Sequence, residues 1–252
     1  MAHSNPLFER THILLGDTGL ERLQNSHVFL AGMGGVGSFT AEALARMGVG
    51  KMTLVDHDVV SASNLNRQLV ALNSTVGKLK VEVMAERIAD INPQCELNLI
   101  TDFLTPESIP DTLNQGFDVI IDAIDSMSSK TALLETAWRN ELPVFSSMGA
   151  GGKLDPTQVR TGDLMNTSIC KLAKQLRSHL RKRGVGKGIQ TVYSRWQVWS
   201  LIILLVMQDV SDPQNVVNCT AFYQQQLQKL LKPYGIEIRQ VEENETIPSS
   251  FF

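Results

Sequence analysis

Cysteine is scarce: the 252 residues hold three, Cys95, Cys170 and Cys219, with no C-x-x-C pair among them. That excludes a disulfide framework and a thiolate zinc site, so no zinc is expected, and a reducing cytoplasm is the expected compartment. Positive charge is not in excess either. The chain carries 23 Lys and Arg against 26 Asp and Glu, a formal net charge of -3, so no global field announces nucleic acid or membrane and either partner must meet a local patch. Long apolar runs are missing. The longest nearly uncharged run, Trp196 to Gln208, falls short of the roughly 20 residues that span a bilayer and reads as a buried or interfacial segment. Met1 to Arg10 lacks an apolar stretch and includes His3, Glu9 and Arg10, so no secretory signal is visible. Internal repeats and low-complexity segments are also absent. A chain of this length can bury one sizeable α/β core plus an extension.

The strongest pattern is Val28-Phe29-Leu30-Ala31 followed by Gly32-Met33-Gly34-Gly35-Val36-Gly37 and then Ser38 to Met47. An apolar run, a glycine-rich turn and apolar residues at helical spacing predict a strand, a phosphate-cradling turn and a helix. In this reading Gly32 permits the tight turn and Gly34, with Gly35 beside it, lets a pyrophosphate approach the backbone. Gly37 lets helix and strand pack closely, and the helix N-terminus faces an anion with free N–H groups. Asp56 ends the next predicted strand, Met52 to Val55, about 20 residues past the turn, where a carboxylate can hold ribose hydroxyls. A polar loop follows, with Asp58, Asn64, Arg67 and Gln68 at the strand's carboxyl edge. Arg67 brings a rigid fork of donors suited to phosphate. Lys80, near the start of an amphipathic helix ending at Asn92-Pro93, opposes the helix dipole unless it meets an anion, which a bound phosphate would supply.

Further along, Glu96 to Ile100 is predicted as a strand and Pro106 to Leu113 as a short helix. The strand Phe117 to Ile121 delivers Asp122-Ala123-Ile124-Asp125-Ser126 to the same sheet edge. Two carboxylates there suit a divalent metal and a nucleotide, with Asp125 the expected magnesium ligand; the other reading makes Asp125 or Ser126 the cap of the helix Lys130 to Arg139. Pro143 to Ser147 and Thr157 to Thr161 are predicted strands, joined by a glycine-rich bend from Met148 to Gly152. A helix from Ile169 to Arg183 carries Lys171, Lys174, Arg177, Arg181, Lys182 and Arg183 beside an apolar stripe of Leu172, Leu176 and Leu180. Such a run is a solvated face or, since no acids interleave it, an RNA-backbone contact. The fold class expected is α/β: a Rossmann-like, doubly wound, mostly parallel sheet with helices on both faces. Residues 1–195 form the nucleotide-binding domain and 196–252 a helical C-terminal extension.

The loop Asp56-x-Asp58 through Asn64-Leu65-Asn66-Arg67-Gln68, with Gly77-x-x-Lys80 and Asp122-Ala123-Ile124-Asp125, resembles the ATP-dependent carboxylate-adenylating superfamily of ubiquitin-activating enzymes and the adenylyltransferases of molybdopterin and thiamine synthesis. Over Phe8 to Ser194, phrases such as Ala41 to Arg46, Glu82 to Ile88, Ile121 to Ser126 and Gly149 to Gly152 are similar to the tRNA threonylcarbamoyladenosine dehydratases within that superfamily. The resemblance implies that the glycine turn, Asp56, Asp58 and Gln68 hold ATP, that Asn64, Arg67 and Lys80 contact its phosphates, and that Asp125 and Ser126 serve magnesium and nucleotide. It implies that Arg10 reaches a neighbouring subunit's site, hence a homodimer, with Arg10, Arg67, Lys80 and Asp125 as the catalytic group. The activity implied is adenylation and ring closure of threonylcarbamoyladenosine in tRNA, a ligase reaction of tRNA modification, with a sulfur-transfer protein of the cysteine desulfurase system as a further partner. Adenylation of a ubiquitin-like or sulfur-carrier C-terminus, or a non-catalytic ATP-binding scaffold, is the alternative. Where that branch carries Asp-Pro-Leu this chain has Cys170-Lys171-Leu172, which makes Cys170 either a helix residue or a thioester nucleophile. From Arg195 onward the tail is expected to depart from the family. Related enzymes can be membrane-associated through C-terminal segments, but the departing tail does not carry that over, so the cytoplasm is the expected location with membrane association as the alternative.

Overall fold

The computed structural model describes residues 5–195 except 152 and 154. The expected helical extension over 196–252, including Trp196 to Gln208 and Cys219, lies outside the described residues, as does Gly152.

Chain order is helix Glu9–Gln24 (α1), strand His27–Ala31 (β1), helix Gly37–Met47 (α2), strand Lys51–Val55 (β2), helix Lys80–Ile91 (α3) and strand Glu96–Ile100 (β3). Then come helix Ile109–Thr112 (α4), strand Val119–Asp122 (β4), helix Met127–Arg139 (α5), strand Val144–Ser147 (β5), strand Val159–Asp163 (β6), helix Lys171–Lys182 (α6) and strand Gln190–Ser194 (β7). The sheet runs β3-β2-β1-β4-β5-β7-β6, parallel except for the β6–β7 pair. The expected α/β, mostly parallel, doubly wound architecture is the one observed. Strand order reverses between β1 and its neighbours β2 and β4, which opens the crevice where ligands bind in such sheets.

Alternation along the strands builds a core on each face. Val28 and Leu30 of β1, Met52 and Leu54 of β2 and Ile121 of β4 pack with Ala41, Leu44 and Ala45 of α2 and Val81, Met84 and Ile88 of α3. Phe29 and Ala31, Val55 and Ile120 point the other way, toward Leu133, Leu134 and Ala137 of α5 and Ala173, Leu176 and Leu180 of α6. Each large apolar side chain so buried stabilises the fold by about 1.5–3 kcal/mol before entropy is counted.

Local chemistry sets the ends of the elements. Gly16 has φ 66° and ψ -178°, so α1 is two helical pieces joined at a kink, in keeping with one or two short helices there. Gly48, with φ 96°, ends α2 in the left-handed region that a side chain would strain. Several sequence expectations shift. The helix predicted over Pro106 to Leu113 shrinks to four residues, because Pro110 supplies no amide hydrogen for an earlier turn. The strand predicted over Thr157 to Thr161 is Val159–Asp163, preceded by a 3-10 turn over Pro156–Gln158. β7 was not anticipated at all.

Candidate active site

The carboxyl ends of β1, β2 and β4 frame one cleft of about 690 Å³, a size that suits a nucleotide. Its wall includes Gly32, Gly34, Gly35, Asp56, Asp58, Asn64, Arg67, Gln68, Lys80, Asp125 and Ser126. These scattered sequence candidates therefore share a single surface.

The turn after β1 is shaped by contacts that a side chain would break. A Cβ on Gly32 would stand 2.6 Å from the Ala123 carbonyl oxygen, and one on Gly37 only 1.6 Å from the Gly32 carbonyl oxygen. Gly37 thus closes the turn upon itself, a tighter role than the helix-to-strand packing expected of it. A Cβ on Gly34 would meet nothing nearer than the Gln68 amide nitrogen at 3.8 Å. The opening at Gly34 faces the cleft, so the second glycine leaves room for something outside the chain. No side chain caps α2; the Ser38 amide donates to the Gly34 carbonyl at 3.1 Å within the turn, and the helix presents the positive end of its dipole to the cleft, which suits an anion. Ser38, to which the sequence reading gave no role, secures the turn: its hydroxyl donates to the Gly34 carbonyl at 2.6 Å and accepts from the Leu69 amide at 3.3 Å.

Asp56 accepts from the Met33 amide at 2.6 Å and from the Asp58 amide at 2.9 Å, tying β2 to the glycine turn. The following loop is pinned where Val59 bridges Leu79, Val60 donates to Lys78 and Lys80 donates to the Asp58 carbonyl. That pairing delivers Lys80 to the cleft. Its ammonium, only 6% exposed, lies 2.7 Å from the Asp58 carboxylate, which is 50% exposed. The anion that resolves Lys80's conflict with the helix dipole is Asp58, a partner the sequence reading did not assign. The hydrogen bond from Lys80 holds the Asp58 carboxyl below its ordinary value. His57 lies 3.3 Å from Asp58 and packs edge-on against Phe103.

Asn64 is buried as the last residue of a 3-10 turn, where its carboxamide oxygen accepts from the Ser61 amide at 3.0 Å. Arg67 is exposed on the rim and donates to the Ser63 carbonyl and the Asn66 carboxamide oxygen at 2.9 and 3.0 Å. Gln68 is buried, and its carboxamide oxygen has no protein partner.

Asp122 and Asp125 do not form the open carboxylate pair that the sequence suggested. Asp122 is fully buried, 2.7 Å from the ammonium of Lys130, and is unavailable to a metal; only Asp125 stands exposed on the cleft wall. Ser126 occupies the N-cap position of α5 without a capping hydrogen bond from its side chain.

Other candidates lie elsewhere. Arg10 is exposed on α1 and does not line this cleft. On α6, Lys171, Lys174, Arg181 and Lys182 are exposed, while Arg177 donates to the Thr167 hydroxyl and Arg183 to the Glu135 carboxylate at 2.8 Å. The buried stripe of α6 is Ala173, Leu176 and Leu180, with Leu172 only partly covered. Cys170 is 3% exposed within the core and immediately precedes α6 as its N-cap residue, rather than lying in the helix. The cleft also includes Asp102, Phe103 and Leu104, which sequence reasoning passed over; they follow β3 at its carboxyl end, the same positional signal that picked out Asp56 and Asp125. Among the described residues no helix is long and apolar enough to cross a membrane.

The ThiF family model matches residues 8–230. The chain is 47% identical over 187 residues to the tRNA threonylcarbamoyladenosine dehydratase of Bacillus subtilis, covering 74% of each chain. It is 43% identical over 194 residues to the dehydratase of that name from Escherichia coli, covering 74% of this chain and 72% of that one. The crystal structure of the Escherichia coli dehydratase TcdA in complex with AMP superposes with a TM-score of 0.79 at 38% identity, covering 90% of this chain and 95% of that chain. The structure in complex with ATP gives a TM-score of 0.75 at 37% identity, covering 89% and 95%. On this agreement of sequence and fold, the chain belongs to the ThiF family, in the branch of the tRNA threonylcarbamoyladenosine dehydratases.

Proposed function

We propose that the protein is an ATP-dependent dehydratase that closes threonylcarbamoyladenosine in tRNA into a ring by adenylating its carboxylate. The observation that carries this reading is the composition of one cleft wall: an uncapped helix N-terminus with Gly34 open toward it, Asp56 at a strand end, and the cations of Lys80 and Arg67. The relatives that share this fold include structures in complex with ATP and with AMP, the nucleotide at the start and the end of such a reaction.

A carboxylate resists substitution because its oxygen leaves badly. Attack of one carboxylate oxygen in line on the α-phosphorus of ATP breaks the bond to pyrophosphate and makes an acyl-adenylate. Lys80, Arg67 and the second subunit's Arg10 neutralise the charge that gathers on the departing pyrophosphate. That Arg10 stands away from its own cleft favours its use across a homodimer. The glycine turn and α2 receive the phosphates, and Asp56 holds the ribose. Asn64 braces the loop from which Arg67 and Gln68 reach the nucleotide. Magnesium fits this donor set, since it takes one or two protein carboxylates plus phosphate oxygens, and Asp125, with Ser126 beside it, offers one. When bound it supplies further charge neutralisation at the phosphates. A nucleophile within the same modified side chain then attacks the activated carbonyl. AMP leaves with the original carboxylate oxygen, so the RNA loses one water overall and no enzyme thiol is required.

Lys171, Lys174, Arg181 and Lys182 form the proposed RNA-facing surface; Arg177 and Arg183 flank it while keeping their own protein partners. The domain boundary near residue 195, a cytoplasmic location and a partner from the cysteine desulfurase system are proposed on the resemblance alone. With ATP, magnesium and tRNA bearing the modification, nucleoside mass spectrometry should find the modified nucleoside lighter by one water. Recovery of the nucleoside unchanged would overturn the proposal.

A further inference from the structure

The mechanism above leaves one ionised pair unused. The ammonium of Lys130 and the carboxylate of Asp122 are both 0% exposed and lie 2.7 Å apart. Lys130 also donates to the Ile124 carbonyl at 3.0 Å and the Ser147 carbonyl at 2.8 Å, so its ammonium ties two main-chain carbonyls while it pairs with the carboxylate. Asp122 further accepts from the Ser146 hydroxyl at 2.6 Å and the Ile124 amide at 3.1 Å. The two carbonyls lie at the ends of neighbouring strands. Ile124 immediately precedes Asp125, and Ser147 begins the glycine-rich bend that brings Ala150 and Gly151 to the same cleft.

Stability alone does not call for this arrangement. A buried ion pair replaced whole by apolar side chains of similar volume is often neutral or stabilising. What an ammonium adds over a methyl group is direction, through two hydrogen bonds to carbonyls that set one loop against the other while the ion pair anchors the charge. We propose that Lys130 is a positioning residue for adenylation. It holds the Asp125 loop and the glycine-rich bend at a set separation, and so shapes the gap through which the substrate carboxylate reaches the nucleotide. This inference rests on the dehydratase reading above.

The test uses the full chain, Lys130→Met and the charge-free double variant Asp122→Leu/Lys130→Met. The single variant should be less stable and the double should regain the thermal midpoint. Both should nevertheless form pyrophosphate about 100-fold more slowly, as for a reacting group displaced by about 1 Å, with the KM for ATP little changed. Hydrogen exchange should quicken at residues 123–126 and 148–151 in both. Recovery of turnover together with stability in the double variant, or unaltered exchange in the two loops, would overturn the proposal. If neither variant folds, Ser146→Ala, which keeps both charges, replaces them: faster loop exchange with slower turnover is expected, and no change in either refutes the clamp. Exchange needs no reaction, so failure of the unaltered protein to turn over would count against the dehydratase reading while the loops still decide the role of Lys130.

Discussion

Two aspartate–lysine pairs flank the cleft at the same separation of 2.7 Å and in opposite surroundings. Asp58 and Lys80 meet at the rim, where half of the carboxylate is in water; Asp122 and Lys130 meet with no exposure at all. In the open pair solvent screens the attraction, and an arriving phosphate can compete for the ammonium's remaining donors. The sealed pair has no such freedom, because removal of either partner strands a charge in a low-dielectric interior. On the proposed mechanism, one pair exchanges partners during the reaction. The other keeps the wall in place while that happens.

Breaking the sealed pair should have the largest effect. Lys130→Met should lower the unfolding free energy by about 3–5 kcal/mol, read by urea denaturation at neutral pH; a loss below about 1 kcal/mol would put the two pairs in one class. Lys80→Met should do the reverse, slowing pyrophosphate formation by roughly 100-fold while costing about 1 kcal/mol or less of stability. The glycine turn carries the same contrast between closed and open. Gly37→Ala, whose new Cβ would meet the Gly32 carbonyl, should destabilise by about 1–3 kcal/mol. Gly34→Ala should stay within about 0.5 kcal/mol and weaken ATP binding, which calorimetry can separate from folding.

A further small effect lies in acid. Because Lys80 holds the Asp58 carboxyl below its ordinary 3.8, the folded state keeps that proton off more readily than the unfolded state. The resulting stability is complete above pH 3.8 and disappears as pH falls below it, through the lowered folded value. For a half-exposed carboxylate it amounts to less than about 1 kcal/mol. Denaturation curves at pH 5 and at pH 3 should therefore differ less in Lys80→Met than in the unaltered protein by that increment, and an equal difference would show that Lys80 does not hold Asp58.

The contrast between the pairs was only half legible in the sequence. Glycine spacing announced the turn between β1 and α2, and position at strand ends picked out Asp56, Asn64, Arg67 and Asp125, because local patterns fix both turn chemistry and the carboxyl edge of a parallel sheet. Lys130 was invisible. A lysine in an amphipathic segment reads as a solvated residue, and its burial depends on Ser147 of a later strand, which no local window contains. The same long-range dependence hid the claim of Lys130 on Asp122, the tie of Arg183 to Glu135 and the strand β7, whose hydrogen-bonded neighbours β5 and β6 both precede it in the chain.

The central claim is that this cleft activates a carboxylate carried on tRNA. The most direct test is pyrophosphate release by the purified protein with ATP and magnesium, comparing tRNA that bears threonylcarbamoyladenosine, tRNA that lacks it, and a small ubiquitin-like carrier protein. The account predicts release with the modified tRNA only, and its loss in Arg67→Ala. Release with the carrier alone, or turnover unchanged in Arg67→Ala, would contradict it.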